Sequence, residues 1–217
     1  MKLYNFSYLF RPKRLSLLPD YFKQYIFNNR VQLETFAKAC AYRSSLMGDN
    51  GKLEGKNRTI SEMAHIETMR PILGGVLQKI AGTFGLRSAP ELGTCLGVGT
   101  MFLATSVSGE VTTLDCNDTL TGFASDLFRA EGVNNVNFIC DTFEHYLESK
   151  GKFDLIYVDG DHTAKAMLFQ YDRLIRDFVG EKYVLVFDDI NYSRDMSDAW
   201  KSISAASGDS LRINLFR

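Results

Sequence analysis

The chain has 217 residues, of which 45% are hydrophobic and 24% charged, the proportions of an ordinary globular protein. Its net charge of −1 argues against nucleic acid as the main partner, since no excess of basic residues is present to neutralise phosphates. No run of 18 apolar residues occurs, so no membrane span is expected, and the sequence favours a cytoplasmic protein whose four cysteines are reduced.

Residues 1–89 are predicted to form a helical N-terminal region that acts as a lid. Thr59-Ile-Ser-Glu62 has the pattern of a capping box that opens a helix. Pro71 suits the first turn of the next helix, which is predicted to end near Phe84. The segment 48–57, just before the capping box, is polar and rich in glycine, which predicts a mobile loop.

Residues 91–100 hold the most informative motif, Glu-Leu-Gly-Thr-Cys-Leu-Gly-Val-Gly-Thr. Its acid and spaced glycines stand where a buried strand is predicted to turn into a helix. Glycine lets the backbone approach a ligand closely, and a loop that runs into a helix N-terminus is a common cradle for a nucleotide-like cofactor. The spacing G-x-x-x-G-x-G differs from the dinucleotide fingerprint G-x-G-x-x-G, which disfavours a NAD-dependent oxidoreductase.

From residue 90 onward, short apolar runs alternate with amphipathic segments of helix length. Strands are predicted at Val111–Leu114, Val136–Cys140, Leu155–Val158 and Tyr183–Phe187. Helices are predicted at Leu120–Ala130, Lys165–Phe178 and Met196–Ile203. This alternation predicts an α/β fold with a parallel sheet covered by helices on both faces, in which ligands bind beyond the carboxyl ends of the strands.

Each predicted strand is followed by at least one acid. These residues are Glu91, Asp115, Asp141, then Asp159 and Asp161 with His162, and finally the pair Asp188 and Asp189. A single acid in such a place is usually a helix cap, and that interpretation stays open for Asp141 or Asp161 alone. The adjacent carboxylates of Asp188 and Asp189 repel each other, so this pair needs a cation or solvent beside it.

The glycine motif, together with VDGDH at 158–162 and FDDINYSRDMSDAW at 187–200, resembles the class I S-adenosylmethionine-dependent methyltransferases. The resemblance covers residues 90–205 in the family's order. It is nearest to the small-molecule O-methyltransferases that include the catechol and sugar enzymes. It implies a Rossmann-like methyltransferase fold for residues 90–217, with S-adenosylmethionine as cofactor and a small-molecule hydroxyl as methyl acceptor.

The resemblance also implies where the cofactor binds. The methionine part would lie along Gly93, Thr94, Gly97 and Gly99, with Glu91 behind them. Asp115 would accept both ribose hydroxyls, and Asp141 and Thr142 would contact the adenine edge. Asp159 would be a further cofactor-binding residue. An acidic pocket suits the cationic sulfonium of this cofactor.

In metal-dependent relatives the resemblance implies a Mg²⁺ site, here formed by Asp159, Asp188 and Asp189. Such a hard cation prefers oxygen ligands, and it would lower the pKa of a substrate hydroxyl and hold it in line with the methyl group. The alternative needs no metal: Asp188 would face the cofactor and Asp189 would cap a helix.

Candidate catalytic residues follow the fourth strand, where Asp159, Asp161 and His162 are placed to reach a substrate proton. The alternative for His162 is that it caps or packs against the helix that begins near Thr163. No partner in the sequence is evident for His65 or His145, so neither receives a role.

The family fold usually ends with a sixth strand and a reversed seventh. Residues 211–216 are predicted to form the sixth, which leaves the seventh missing or supplied by a partner, and an uncovered sheet edge favours a homodimer. A non-catalytic cofactor-binding or assembly protein of the same fold is the remaining alternative. The acceptor is not readable, because the predicted lid lies outside the shared motifs.

Overall fold

The computed structural model describes residues 33–206; the apolar start of the chain and the predicted sixth strand lie outside this range. Within it, helices α1 (Leu33–Met47), α2 (Ile60–Ile66) and α3 (Pro71–Phe84) precede the first strand. The predicted capping box opens α2: the Thr59 hydroxyl accepts the Glu62 N–H, and the Glu62 carboxylate accepts the Thr59 N–H at 2.7 Å. None of the helices in the described range is both long and apolar enough to cross a membrane.

The described residues form one sheet of five parallel strands in the order β3-β2-β1-β4-β5. The strands are β1 (Ala89–Leu92), β2 (Val111–Asp115), β3 (Val136–Cys140), β4 (Phe153–Val158) and β5 (Val179–Phe187). The helices among them are α4 (Val98–Ala104), α5 (Asp118–Ala130), α6 (Phe143–Tyr146), α7 (Ala164–Asp177) and α8 (Arg194–Ala206). Strand order reverses between β1 and β4, and this reversal opens a crevice at the carboxyl ends of the strands.

The predicted parallel α/β architecture is confirmed, but β4 and β5 begin earlier than the sequence indicated. Phe153 pairs with Val179, and a register shift before Leu155 joins this contact to the main pairing of the two strands. The polar residues 180–182 interrupt the apolar pattern of β5, which is why the prediction began only at Tyr183.

The N-terminal helices and the sheet share one hydrophobic core. Buried members include Ala39 and Tyr42 of α1, Leu77 of α3, Phe102 of α4 and Val111 of β2. A Cβ at Gly74 of α3 would overlap the Phe102 ring, so this glycine permits the close approach of α3 to α4. Burial of this shared surface fixes α1–α3 against the sheet that carries the glycine loop.

Residues 48–57 contain no helix, and backbone contacts tie them to the start of α2. Lys52 forms an isolated antiparallel bridge with Thr59. The Gly51 carbonyl accepts the Ile60 N–H at 2.9 Å, and the Asp49 carbonyl accepts the Ser61 N–H at 2.7 Å. The irregular segment that the sequence predicted is therefore anchored at one end by hydrogen bonds.

Candidate active site

The glycine loop joins β1 to α4 at the carboxyl edge of the sheet. Gly93 and Gly97 have φ angles of 116° and 75°, in the region that favours glycine. A Cβ on Gly93 would overlap the carbonyl oxygen of Asp159, so the loop packs directly on the end of β4. The Tyr42 hydroxyl of α1 donates to the Leu96 carbonyl at 2.8 Å, which attaches the N-terminal region to the same loop.

Glu91 lies in β1 behind the loop and is only 1% exposed. Its carboxylate accepts hydrogen bonds from the Thr100 hydroxyl and, at 2.7 Å, from the Thr113 hydroxyl. Burial raises the pKa of Glu91 to about 8, although these hydroxyls oppose the rise. A Cβ on Gly99 would overlap the carboxyl group. Glu91 thus supports the loop from behind.

Asp115 ends β2 and holds the glycine loop to the segment before α5. One carboxylate oxygen accepts the Cys95 N–H at 3.1 Å, and the other accepts the Asn117 N–H at 3.0 Å. A carboxylate oxygen accepts more than one hydrogen bond, so these contacts leave capacity for the ribose hydroxyls of the predicted cofactor. Burial raises the pKa of the Cys95 thiol to about 12, which agrees with packing and not with a nucleophilic role.

At the end of β3, Asp141 and Thr142 make local contacts. Asp141 accepts the Thr142 N–H at 2.7 Å, and its other oxygen lies 2.5 Å from Nδ1 of His145. This hydrogen bond lowers the pKa of Asp141 and raises the pKa of His145. Thr142, and not Asp141, caps α6 by accepting the His145 N–H at 3.2 Å.

Both histidines that received no role from the sequence make a local contact. His145 contacts Asp141, and Nδ1 of His65 lies 2.7 Å from the Ser61 carbonyl oxygen. Each partner is four residues before the histidine, a spacing that brings the two groups together on one side of a helical turn. These contacts are exposed and local, and they lie apart from the cavity described below.

The acids at the ends of β4 and β5 meet at a buried tyrosine that the sequence did not single out. The Tyr157 hydroxyl donates to Asp188 at 2.6 Å and lies 3.2 Å from Asp159. Burial, reinforced by the Asp188 carboxylate, raises the pKa of Asp159 well above its usual range. The other Asp188 oxygen accepts the Asp189 N–H at 2.8 Å. Tyr157 therefore fixes how these carboxylates are turned.

Asp159, His162 and Asp189 carry potential metal-ligand atoms within 4.8 Å of one another. The predicted set had Asp188 in place of His162, but both Asp188 oxygens are engaged by Tyr157 and by the backbone. Nε2 of His162 lies 4.0 Å from Asp189. Two carboxylates and an imidazole at such separations are close enough to bind one divalent cation together.

His162 does not cap the following helix, because Thr163 performs that role by accepting the Ala166 N–H. Its ring instead packs against Tyr192, with ring centroids 5.3 Å apart. Asp161 is exposed, and its carboxylate accepts the Thr163 hydroxyl at 3.2 Å. The structure therefore brings His162 to Asp159 and places Asp161 in a local turn instead.

A cavity of about 710 Å³ opens beside these groups. Its lining includes Asp159, His162, Asp188 and Asp189 at the strand ends and Cys95 of the glycine loop. Other lining residues come from the N-terminal region and include Arg58, Ile66, Glu67, Met69, Arg70 and Leu73. The predicted lid thus reaches the cavity through the start of α2 and the connection from α2 to α3, whereas segment 48–57 is not among its lining residues.

Comparisons with known proteins agree with this geometry. Residues 91–190 match the family model described as a methyltransferase domain, and no curated protein sequence matches the chain. An O-methyltransferase from Bacillus cereus, solved with S-adenosylhomocysteine (SAH), is 17% identical, with a TM-score of 0.60 and 80% of each chain covered. The SAH-bound methyltransferase PaMTH1 from Podospora anserina is 14% identical, with a TM-score of 0.61 over 90% of this chain and 86% of that one.

A further structure is the O-methyltransferase TomG from Streptomyces achromogenes, involved in tomaymycin synthesis and solved with S-adenosylmethionine. It is 14% identical, with a TM-score of 0.57 over 81% of this chain and 78% of that one. These neighbours establish the fold, and the domain match covers the glycine loop and the strand ends that form the site. Residues 91–190 thus match a methyltransferase domain within the same fold, in agreement with the resemblance that the motifs indicated.

Proposed function

We propose that this protein methylates a hydroxyl oxygen of a small molecule. The observation that carries the proposal is the cavity in which Cys95 of the glycine loop meets Asp159, His162 and the carboxylate pair after β5. Its volume of about 710 Å³ lies in the range of about 300–1,000 Å³ that is typical of small-molecule sites. Acids and a histidine beside a methyl donor suit an acceptor that must lose a proton.

The cofactor is proposed to lie across the edge of the sheet. Its methionine part would follow Gly93, Thr94, Gly97 and Gly99, its ribose would reach Asp115, and its adenine edge would reach Asp141 and Thr142. Support comes from the packing of the loop, which tolerates no Cβ at Gly93 or Gly99. Asp115 already accepts a loop N–H, so it is placed where a cofactor on that loop would pass.

Methyl transfer is an in-line displacement, so the site contributes mainly by positioning the acceptor. As the oxygen–methyl bond forms and the sulfur–methyl bond breaks, the hydroxyl proton must move to a base. His162 lines the cavity and is the candidate for this role, with Asp159 beside it. Asp161 is a weaker candidate, because one of its carboxylate oxygens accepts the Thr163 hydroxyl and the residue is not among those that line the cavity.

We further propose that a divalent cation, Mg²⁺, assists the reaction. Asp159 and Asp189 would hold it, with Asp188, the third predicted ligand, or His162 completing the set; the clustering of Asp159, His162 and Asp189 supports such a fit. The ion would lower the pKa of the acceptor hydroxyl. Asp188→Asn and His162→Gln distinguish the two sets of ligands. Mn²⁺ binding to each variant is measured by electron paramagnetic resonance, and only the substitution of the true third ligand should weaken it.

Release of SAH from S-adenosylmethionine, measured with a panel of hydroxyl compounds, tests the main proposal. We expect turnover with at least one small hydroxyl compound and its loss in chelator, with recovery on adding Mg²⁺. Full turnover in chelator would refute the metal proposal. SAH binding without turnover of any compound would favour the non-catalytic alternative.

Three further predictions remain proposals at the level of the whole protein. Residues 1–89 would act as the lid, since Arg58 and the α2–α3 connection line the cavity. A homodimer would cover the edge of the sheet, where β5 is the last described strand on one side. The cytoplasm is the proposed compartment, as expected for a chain with unpaired thiols.

A further inference from the structure

The cavity is lined by groups of opposite charge. Asp159, Asp188 and Asp189 lie at the strand ends, whereas Arg58 and Arg70 come from the N-terminal region. Arg58 is paired with Glu67, which also lines the cavity, so most of its charge is compensated at that point. The Arg70 side chain is exposed and makes no hydrogen bond or ion pair with any residue in the described part of the chain.

A second arginine near Arg70 also lacks an acidic partner among the described residues. The guanidinium of Arg43 donates to the Ala64 carbonyl and to the Met47 sulfur, both at 2.9 Å, and its buried Nε has no partner. Burial lowers the pKa of Arg43, and the charge of Arg70 lowers it further. Two neighbouring guanidinium groups without a carboxylate repel each other, and an anion at Arg70 would relieve that repulsion.

Apolar side chains line the same cavity. Ile66 and Tyr192 are each 67% exposed although they line it, and Leu73 is a further apolar lining residue. A molecule bound there would therefore meet apolar side chains as well as groups of both charges. An anionic end would be repelled by Asp159, Asp188 and Asp189, so only one orientation of such a molecule is favourable.

We infer that Arg70 binds a carboxylate or phosphate group of the methyl acceptor, which directs the hydroxyl at its other end toward Asp159 and His162. This inference rests on the proposed function. A free guanidinium suits both anions, because it presents paired N–H donors that match two oxygens. The acceptor class is thus a small hydroxy compound with an apolar body and a single anionic group.

The test uses the full chain and matched probes that differ only in the anion. The pairs are 3,4-dihydroxybenzoate with 3,4-dihydroxybenzyl alcohol, and 3-hydroxybenzyl phosphate with 3-hydroxybenzyl alcohol. Binding of each probe to the SAH-loaded protein is measured by calorimetry, and SAH release from S-adenosylmethionine gives kcat/KM. Variants are Arg70→Gln and Arg70→Lys, with Arg129→Gln as the control, because Arg129 pairs with Asp126 on the surface of α5.

We expect the anionic member of at least one pair to bind about tenfold to a hundredfold more tightly than its neutral partner. Arg70→Gln should bring this ratio close to one, Arg70→Lys should keep part of it, and Arg129→Gln should leave it unchanged. The SAH affinity should stay within about twofold in all three variants, because the acceptor and not the cofactor carries the anion.

Equal affinity for the anionic and the neutral member in both pairs, including a failure of both members to bind, would overturn the inference. So would a preference that survives Arg70→Gln. A loss of SAH affinity in Arg70→Gln with the preference intact would assign the arginine to the carboxylate of the cofactor instead. Failure of the wild-type protein to bind SAH at all would refute the proposed function, and calorimetry in the absence of probes detects this separately.

Discussion

Glu91 is the residue whose ionisation should most affect the stability of the cofactor loop. Its pKa is about 8 in the folded chain because of burial, against an ordinary value of 4.5. Between these pH values the unfolded chain has released this proton while the folded chain keeps it. The free energy of unfolding is therefore highest below pH 4.5 for this group and falls as pH rises toward 8, by up to about 1.4 kcal/mol per pH unit.

Glu91→Gln should make this slope shallower by the contribution of Glu91, since the amide keeps the shape of the side chain and does not ionise; the raised pKa of Asp159 leaves a slope of the same sign in both proteins. Urea unfolding between about pH 5 and pH 8.5 measures it directly for both proteins. Glu144→Gln, at an exposed position, provides a matched control that should retain the wild-type slope. An unchanged slope in Glu91→Gln would mean that another group is responsible for the pH dependence.

Asp115 should be the carboxylate on which cofactor affinity depends most strongly. Its two oxygens anchor Cys95 and Asn117. If the proposed ribose contact is also made, Asp115→Ala removes a loop anchor and a ligand acceptor together. We expect SAH affinity to fall at least about tenfold by calorimetry. The exposed Asp118, three residues later in α5, is the control, and Asp118→Ala should bind SAH as the wild type does.

Sequence reasoning found the acids of the site but not the residues that orient them. A carboxylate at a strand end is visible because it interrupts an apolar pattern, as Asp115 and Asp159 do. Tyr157 continues the apolar pattern of β4, so nothing in the sequence separates it from an ordinary core residue. Arg70 lies in the region without shared motifs, and only the packing of α3 beside the sheet brings it into the lining of the same cavity as the acids.

At the scale of elements, the junction of β1 and α4 depends on close packing around a glycine. A Cβ on Gly99 would overlap the Glu91 carboxyl group, whereas a Cβ on Gly82 of α3 would meet no atom within 4 Å. Gly99→Ala should therefore destabilise the protein by about 1–3 kcal/mol and weaken SAH binding. Gly82→Ala should stabilise it by about 0.5–1 kcal/mol, because alanine loses less backbone entropy in a helix.

Urea unfolding and SAH calorimetry on these two helical glycine variants provide the comparison. Because both substitutions add one methyl group, an equal effect on stability would show that the Glu91 contact is not responsible.

Some helix boundaries could be predicted from the sequence, because particular residues mark them. Pro71 and the Thr59 capping box mark helix starts chemically, whereas the start of β5 at Val179 carries no such mark.

At the scale of the whole molecule, the sequence divides near residue 90 but the core does not. Residues of α1 and α3 are buried together with residues of β2 and α4 in one cluster. The hydroxyl of Tyr42 adds a buried hydrogen bond from α1 to the Leu96 carbonyl in the glycine loop. A region that contributes both to the core and to the cofactor loop should not unfold independently of the sheet.

We therefore expect residues 33–206 to unfold in one cooperative transition. Trp200, the only tryptophan of the chain, reports on α8 by fluorescence, and denaturant-dependent hydrogen exchange reports separately on α3 and β2. The three probes should give the same free energy of unfolding, and SAH at a hundred times its dissociation constant should raise all three by about 2.7 kcal/mol. Exchange of α3 at a lower free energy than β2 would show instead that the N-terminal helices open as a separate unit. That result would favour a lid that folds over the cavity only when ligands are bound, because α3 would then be held by the ligands and not by the shared core.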